Sequence, residues 1–415
     1  MKTDIKKNKS VYLMAVGVTV FIIFSTISIF QGKAKIDEYH NHFPVLEGMC
    51  ENGFFNYIFG EDYKAANTPL PYLAPYLIAK ALSIKPNIYI ARIVNFIISF
   101  LTVVLFILVL KRISGKPDLS LLIFLFYPYF IKTSFVFYLA IYGVFFLLLS
   151  IYILAKESKW RILGAGFSST AGILSQQFII AFIPSYSLSI LMSNFSKKNY
   201  SRLAKHILFF VPVIIPIVLF ILWGGLTNPT WRFHGPVLDL THVTASFVIL
   251  GGVFLPFAVD KINTLRFIPA AIFFSISLIL VLLFSPNHSD YGRQGHVTGY
   301  TYNFISQLSA LSYLFSVLFQ VILCFSGLYI FYKLAGDLSS SIDRLIFISS
   351  LLFIIVFFFN TVYSERHLLP MVTLLFLLTI PRIQNRWLLN FWIGFQVIFG
   401  LCYYYYLLFV IQDFG

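Results

Sequence analysis

The chain has 415 residues, of which 59% are hydrophobic, 19% are aromatic and only 11% are charged. Soluble domains carry about a quarter charged residues, so this composition excludes a soluble globular protein and predicts one embedded in a bilayer. The formal net charge of +14 raises nucleic-acid binding as an explanation. That explanation is not favoured, because no soluble domain and no groove of alternating basic and aromatic residues accompanies the charge.

Apolar runs of about 17–25 residues, each long enough for a membrane-spanning helix, recur along the whole chain. The first run, 11–30, follows a basic tail and is longer than the apolar core of a cleaved signal peptide, so it predicts a retained anchor. A shorter apolar piece, 70–84, is expected at the membrane surface or only partway into it. The other runs, which with the first give about thirteen predicted spans, are 88–110, 119–136, 138–155, 162–177, 178–193, 206–223, 242–258, 267–284, 307–332, 345–361, 366–381 and 388–411.

Two long apolar blocks need an internal turn to fit this scheme. As one helix, 119–155 would rise about 55 Å, which exceeds a single crossing, so a hairpin is predicted near Lys132-Thr133. A similar turn is predicted at Gln176-Gln177. The fold class is therefore an all-α polytopic membrane protein, interpreted as a single integral membrane domain over residues 1–415.

The charges follow the alternation of these spans. With a cytoplasmic amino terminus, about two thirds of the 30 Lys and Arg residues fall in inner segments, as the positive-inside rule expects. The long or polar outer loops are then 31–87, 224–241, 285–306 and 360–367. The inner loops are short and contain no nucleotide-binding motif, which disfavours ATP-driven transport and a cytosolic nucleotide-sugar site.

The first outer loop begins with a dense group of polar residues. Asp37, Glu38, His40 and His42 lie where the anchor helix leaves the bilayer, and one of the carboxylates could act as a general base. The alternative is that both carboxylates are merely solvated or cap the next helix. An amphipathic helix is predicted to follow as far as Cys50, and its apolar side chains, which could face lipid, are Phe43, Val45, Leu46 and Met49.

The loop resembles the eukaryotic α-1,2-glucosyltransferase family that adds the last glucose to the lipid-linked N-glycan precursor. The matching segments are Asp37-Glu38-Tyr39-His40, Cys50-x-x-Gly53-Phe54 and Thr68-Pro69-Leu70-Pro71-Tyr72. More broadly, the layout is similar to GT-C fold glycosyltransferases, which take a polyprenyl-phosphate-linked sugar. The resemblance implies that Asp37 is the base and Glu38 its supporting carboxylate, and that 31–87 is the catalytic loop. Leu70-Pro71 departs from the Pro-Gly of the family pattern.

Two late outer loops, 285–306 and 360–367, are predicted to bind the donor. Glu365-Arg366-His367 resembles the Glu-x-Arg-Tyr stretch of the same family, although here the Arg directly follows the Glu. A guanidinium at a helix mouth can bind a phosphate through two hydrogen bonds. Arg366 could instead snorkel to lipid headgroups. Arg293 and His296 could also contact phosphate, although a plain flexible loop is the alternative for 290–300. The residues predicted to contact acceptor or sugar are His40, His42, Tyr72, Trp231 and Glu365, although Trp at a membrane interface needs no ligand.

No cofactor is predicted, and a divalent metal is a disfavoured alternative. The sequence contains neither His-Glu-x-x-His nor Asp-x-Asp, and its three cysteines, Cys50, Cys324 and Cys402, are far apart.

The combined reading is an inverting membrane glycosyltransferase that moves a hexose such as glucose. The expected partners are a polyprenyl-phosphate sugar donor, a glycan or lipid-linked acceptor, and membrane lipids. A bacterial or archaeal cell membrane is the expected location, with the active site on the extracytoplasmic side. The alternatives are a flippase of lipid-linked saccharides, although no internal repeat is found, and an O-antigen polymerase or ligase, although 285–306 contains only Arg293.

Overall fold

The structure is a computed structural model that describes residues 2–31, 38–60, 63, 65, 68–115, 119, 121–194, 205–228, 239–288, 296–359 and 363–410. Helices dominate this part of the chain. The first half contains α1 (Lys2–Gln31), α2 (Phe43–Asn52), α3 (Phe54–Phe59), α4 (Leu70–Ala81), α5 (Ile88–Ser114), α6 (Leu121–Leu125), α7 (Pro128–Phe135), α8 (Ala140–Leu154), α9 (Arg161–Ile173) and α10 (Phe182–Asn194).

The second half contains three short strands among further helices. The strands are β1 (Asn287–His288), β2 (His296–Thr298) and β3 (Tyr363–Ser364). The helices are α11 (Ile214–Trp223), α12 (Leu240–Val253), α13 (Leu255–Lys261), α14 (Phe267–Phe284), α15 (Tyr300–Leu311), α16 (Tyr313–Gly336), α17 (Ser341–Phe358), α18 (Leu369–Thr379) and α19 (Arg386–Tyr405).

The chain forms two compact units. Unit 1 consists of Met1–Ile180, Asn194–Phe233 and Trp392–Gly415, and unit 2 consists of Ala181–Ser193 and His234–Phe391. Each unit has its own buried apolar core: Phe106, Phe124 and Phe130 are fully buried in unit 1, as are Met371 and Phe376 in unit 2.

The protein is a multi-pass membrane protein, because six of its described helices are at least 18 residues long and apolar enough to cross a bilayer. Two bent helix pairs, α7 with α8 and α12 with α13, raise the number of described candidates to eight if each pair is one span. The thirteen predicted spans are therefore not confirmed. Several apolar runs form helices that are too short to cross alone, since α9 has 13 residues, α11 has 10 and α18 has 11.

The hairpin predicted near Lys132-Thr133 lies a few residues further along the chain, because both of these residues are inside α7. The chain instead bends by 108° after Phe135, before α8 begins. The Asn95 side-chain amide, from α5, donates to the backbone carbonyls of Thr133 and Val136, so the last carbonyls of α7 find partners without a further helical turn. The turn at Gln176-Gln177 is confirmed: α9 ends at Ile173 and a 3₁₀ turn begins at Gln177.

The helix predicted after the first polar block is present as α2, but its apolar face does not point to lipid. Val45, Leu46 and Met49 are fully buried, while Glu47 and Glu51 are exposed. The buried side faces α3 and α4, which pack against it within unit 1. The expectation of a lipid-facing surface helix is therefore corrected: burial against neighbouring helices removes the same apolar area from water.

In unit 2, a three-stranded parallel sheet joins two segments that are far apart in sequence. Asn287 pairs with His296, and Thr298 pairs with Ser364. The loops 285–306 and 360–367 are therefore neighbours, with β2 at the centre of the sheet. Beside them, α12 and α16 approach closely because Gly251 and Gly327 lie at their contact, where any Cβ would collide with the facing backbone.

Candidate active site

The polar residues at the first outer loop of unit 1 form a buried cluster. We define the first-loop cluster as Glu38, His42, Tyr72, Arg92 and Phe137. Glu38 and His42 are the first and last residues of a short π-helical turn that precedes α2. Tyr72 lies in the first turn of α4, and Arg92 lies one turn into α5. Phe137 lies at the break between α7 and α8. Four separate stretches of sequence thus meet at this point.

The centre of the first-loop cluster is an ion pair between Glu38 and Arg92. Arg92 Nε donates to Oε1 at 2.9 Å and Nη2 donates to Oε2 at 2.6 Å, while the two side chains are 1% and 0% exposed. The Phe137 backbone N–H donates to the same carboxylate at 2.6 Å, and Arg92 Nη1 donates to the Ile29 carbonyl at 3.2 Å. Removing two charges from water is costly, and such bidentate geometry with added hydrogen bonds is what offsets that cost. The pair therefore ties the end of α1 to α5 and to the break after α7.

These contacts give Glu38 a role different from the one predicted for its neighbour Asp37. Both oxygens of Glu38 accept hydrogen bonds from Arg92, and this arrangement suits Glu38 to holding the loop rather than to accepting a proton. Asp37, the predicted base, lies outside the described residues. Because Asp37 directly precedes Glu38 in the sequence, the ion pair anchors the chain next to the predicted base.

His42 and Tyr72 join the segments 38–42 and 68–72 of the first outer loop. The His42 Nδ1 and the Tyr72 hydroxyl are 3.0 Å apart, and both rings pack against the ring of Phe137. Burial raises the pKa of Tyr72 above its usual range, so its hydroxyl keeps its proton and can donate to an unprotonated Nδ1. His40, by contrast, is exposed. The structure thus brings His42 and Tyr72 together and leaves His40 at the surface.

The second segment of the loop is also attached to the end of α9. The Thr68 hydroxyl donates to the Ile173 carbonyl at 3.0 Å, and the Leu70 N–H donates to the Leu174 carbonyl at 3.0 Å. Two of the last carbonyls of α9 are satisfied in this way. Pro71, in the first turn of α4, costs no hydrogen bond there because its N–H would have no helical partner. The Thr-Pro-x-Pro pattern therefore both attaches the loop to the end of α9 and begins α4.

Replacing Tyr72 with Phe is expected to lower the free energy of unfolding by about 0.5–1.5 kcal/mol, the usual net value of one neutral hydrogen bond. Only the hydroxyl bonded to His42 is removed, and the packing of the ring is kept. Chemical unfolding of the purified protein in detergent measures the change. Tyr89→Phe is the control, because Tyr89 is 39% exposed. Equal stability of the two variants would contradict a role for this hydrogen bond.

Sequence reasoning missed Arg92 and Asn95. Both are buried polar residues near the start of α5, which is otherwise a run of apolar side chains. A charge inside an apolar helix is expensive and almost always has a partner, and that signal could have identified Arg92. Its partner could not be inferred, because Glu38 is 54 residues away in the sequence.

In unit 2 a second polar group surrounds the short sheet. We define the strand-loop cluster as Gly299, Thr301, Tyr302, Glu365 and Arg366. Glu365 is 1% exposed, and its Oε1 accepts from the Tyr302 N–H at 3.1 Å while its Oε2 accepts from the Thr301 hydroxyl at 3.3 Å. A carboxylate at the first turn of α15 also complements the positive end of the helix dipole.

The other predicted donor-binding residues are only partly described. Arg366 and His367 follow Glu365 in a 3₁₀ turn, and both are half-buried. His296 lies in β2, next to β3, but its side chain is outside the described part of the structure, and Arg293 is outside it altogether. The predicted sugar contact Trp231, which belongs to unit 1, is also outside the described residues. Of the predicted donor-binding and sugar-contacting residues of unit 2, Glu365, Arg366 and His367 can therefore be placed in full.

Asp239 and His242, which follow Trp231 in the sequence, have a structural role. The Asp239 carboxylate caps α12 by accepting from the Thr241 N–H at 2.9 Å, and the Asp239 N–H donates to the Phe358 carbonyl at 3.1 Å. His242 is fully buried with Nδ1 3.3 Å from the Phe357 carbonyl. Together they join the start of α12 to the end of α17.

Among the residues that the structure describes, no group of three or more His, Cys, Asp or Glu side chains could hold a metal ion. Asp37 is not among those residues. The expectation of a metal-independent reaction thus stays a prediction.

No known protein-family model matches the sequence, and no curated protein matches it. Two solved structures are similar, both of ArnT from Cupriavidus metallidurans. The apo crystal structure has a TM-score of 0.45 and 11% identity, and the similarity covers 95% of this chain and 77% of that chain. The crystal structure bound to undecaprenyl phosphate has a TM-score of 0.45 and 10% identity over the same shares. These values are too low to assign a fold family or an activity to this chain.

Proposed function

We propose that the protein is a membrane glycosyltransferase that moves a hexose from a polyprenyl-phosphate donor to a glycan or lipid-linked acceptor on the extracytoplasmic side. The observation that carries the proposal is the His42–Tyr72 contact, at 3.0 Å in the first-loop cluster. It places His42, two residues after the Asp37–His40 segment, against Tyr72, the last residue of the Thr68–Tyr72 segment on which the family resemblance also depends. Two unrelated chance matches to short motifs would not be expected to lie so close together in the fold.

The proposed reaction is a direct displacement at the anomeric carbon. The acceptor hydroxyl oxygen forms a bond to this carbon, the bond from carbon to the phosphate oxygen breaks, and polyprenyl phosphate leaves with the electron pair. Asp37 takes the proton of the attacking hydroxyl. A phosphate is already a stable leaving group, so the reaction needs one base and no matched general acid. The configuration at the anomeric carbon inverts.

Arg366 is the proposed contact for the donor phosphate. A guanidinium is always charged and presents two parallel N–H groups to phosphate oxygens, and it can neutralise the charge that develops as the bond breaks. Its position beside α18, at the end of a predicted outer loop, suits a donor whose polyprenyl tail stays in the bilayer.

The test uses purified protein in proteoliposomes with a radiolabelled polyprenyl-phosphate hexose and extracted glycan acceptors. The wild type is expected to form labelled glycan. Arg366→Ala is expected to raise the KM for the donor by about 10- to 100-fold, the value of one lost charged hydrogen-bond pair. Arg386→Ala is the matched control, because Arg386 is an exposed arginine of the same unit, and it should leave KM unchanged.

Two results would count against the proposal. Movement of the labelled lipid across the bilayer without a new glycosidic bond would indicate a flippase. Equal donor KM values for Arg366→Ala and Arg386→Ala, with transfer intact, would remove Arg366 from the donor site.

A further inference from the structure

We infer that Glu365 and Gly299 are positioning residues that hold Arg366 in the geometry for binding the donor phosphate, and that Glu365 is not a sugar contact. The inference rests on the proposed function and assigns a different role to Glu365 from the one its sequence suggests. It depends only on residues of unit 2.

The first step is that both oxygens of the Glu365 carboxylate are engaged within the protein. Oε1 accepts from the Tyr302 N–H and Oε2 accepts from the Thr301 hydroxyl, and the side chain is 1% exposed. Because the side chain is 1% exposed, a sugar hydroxyl could reach this carboxylate only if the first turn of α15 moved away from it, which would leave the buried Tyr302 N–H unsatisfied. Glu365 therefore acts on the protein and not on the substrate.

The second step concerns the facing residue, Gly299. Thr298 pairs with Ser364 in the sheet, so the next residues of the two strands, Gly299 and Glu365, leave the sheet side by side. A Cβ on Gly299 would collide with the Glu365 Cδ, and the Gly299 φ of +148° is rarely adopted by residues with a side chain. The absence of a side chain at 299 is thus what allows the Glu365 carboxylate to enter the strand-loop cluster.

The third step leads from Glu365 to Arg366. The two residues are adjacent in a 3₁₀ turn, and the turn is held at its start by the Glu365 carboxylate and at its end by Leu368, which is fully buried. Two parallel hydrogen bonds to a phosphate require a guanidinium whose backbone is fixed, because small displacements of a binding group cost much of its effect. Releasing Glu365 would free the backbone that carries Arg366.

A double-mutant cycle tests this coupling by direct binding. Saturable binding of a radiolabelled polyprenyl phosphate is measured for the wild type, Glu365→Ala, Arg366→Ala and the double variant in lipid nanodiscs. Glu365→Ala is expected to weaken binding about tenfold in the wild-type background and to have little effect when Arg366 is already Ala, since a residue that acts through another is not additive with it. Additive effects would overturn the inference.

Two further variants separate positioning from general loss of structure. Glu365→Gln keeps an oxygen that accepts from the Tyr302 N–H, so binding should return to within about threefold of the wild type. Gly299→Ala should weaken binding as Glu365→Ala does, whereas Gly336→Ala should not, because nothing lies within 4 Å of a Cβ at 336. If the wild type binds polyprenyl phosphate and Gly299→Ala binds it as well as Gly336→Ala does, this inference is overturned while the proposed function stands. Absence of both binding and transfer in the wild type would overturn the proposed function with it.

Discussion

Asp37→Asn is expected to lower kcat for glycosyl transfer by about 10²- to 10⁴-fold, the contribution that a general base makes in enzymes. The amide has nearly the same shape as the carboxylate but cannot take a proton from the acceptor hydroxyl. Donor binding should be nearly unchanged, because the phosphate contact is assigned to Arg366. Steady-state kinetics with labelled donor, together with the donor-binding assay, separate these two quantities.

The control for Asp37→Asn is Glu47→Gln, which removes one negative charge from an exposed position in α2. This change should leave kcat within about twofold, because an exposed charge interacts weakly with its surroundings in water. An Asp37→Asn protein that transfers sugar at the wild-type rate would show that another group takes the proton. A loss confined to KM would assign Asp37 to acceptor binding.

Breaking the Glu38–Arg92 pair should have the largest effect on stability. Arg92→Leu leaves the Glu38 carboxylate buried without its counter-ion, and removal of one partner from a buried pair costs about 3–5 kcal/mol. Because the pair joins α1, α5 and the break after α7, the loss should also displace the first outer loop and reduce transfer. The free energy of unfolding in detergent and the yield of folded protein measure the first effect.

A matched control and a double variant identify the cause. Arg112→Leu changes an exposed arginine in the same helix and should cost less than about 1 kcal/mol. Glu38→Leu combined with Arg92→Met removes both buried charges and should be more stable than either single change. Its recovery should be partial, because the Phe137 N–H loses its acceptor at a cost of about 1–3 kcal/mol. Single variants as stable as Arg112→Leu would contradict this account.

Much of the helical architecture follows from local sequence. The apolar run at 88–110 forms α5 and the run at 267–284 forms α14, because a bilayer-length apolar segment has few alternatives to a helix. The number of spans could not be predicted in the same way. The break between α7 and α8 is bonded by Asn95, which reaches the carbonyls of Thr133 and Val136 from α5, and such a partner cannot be inferred from the local sequence.

The candidate site shows the same division. A dense polar block such as Asp37-Glu38 at the end of an apolar run is visible in the sequence, and so is the Glu365-Arg366-His367 segment. The sequence does not show that Glu38 and Glu365 have different hydrogen-bond partners. Each carboxylate is defined by a partner more than 50 residues away, Arg92 in one case and Tyr302 in the other.

The sequence by itself determined the class of protein and the segments that carry chemistry, because hydrophobic length and isolated charges act locally. Only the tertiary structure decided which side of α2 is buried, which charges are paired, and that the loops 285–306 and 360–367 share one sheet. These outcomes depend on contacts between distant segments. Their energies come from desolvation and hydrogen-bond geometry, which no local pattern of residues encodes.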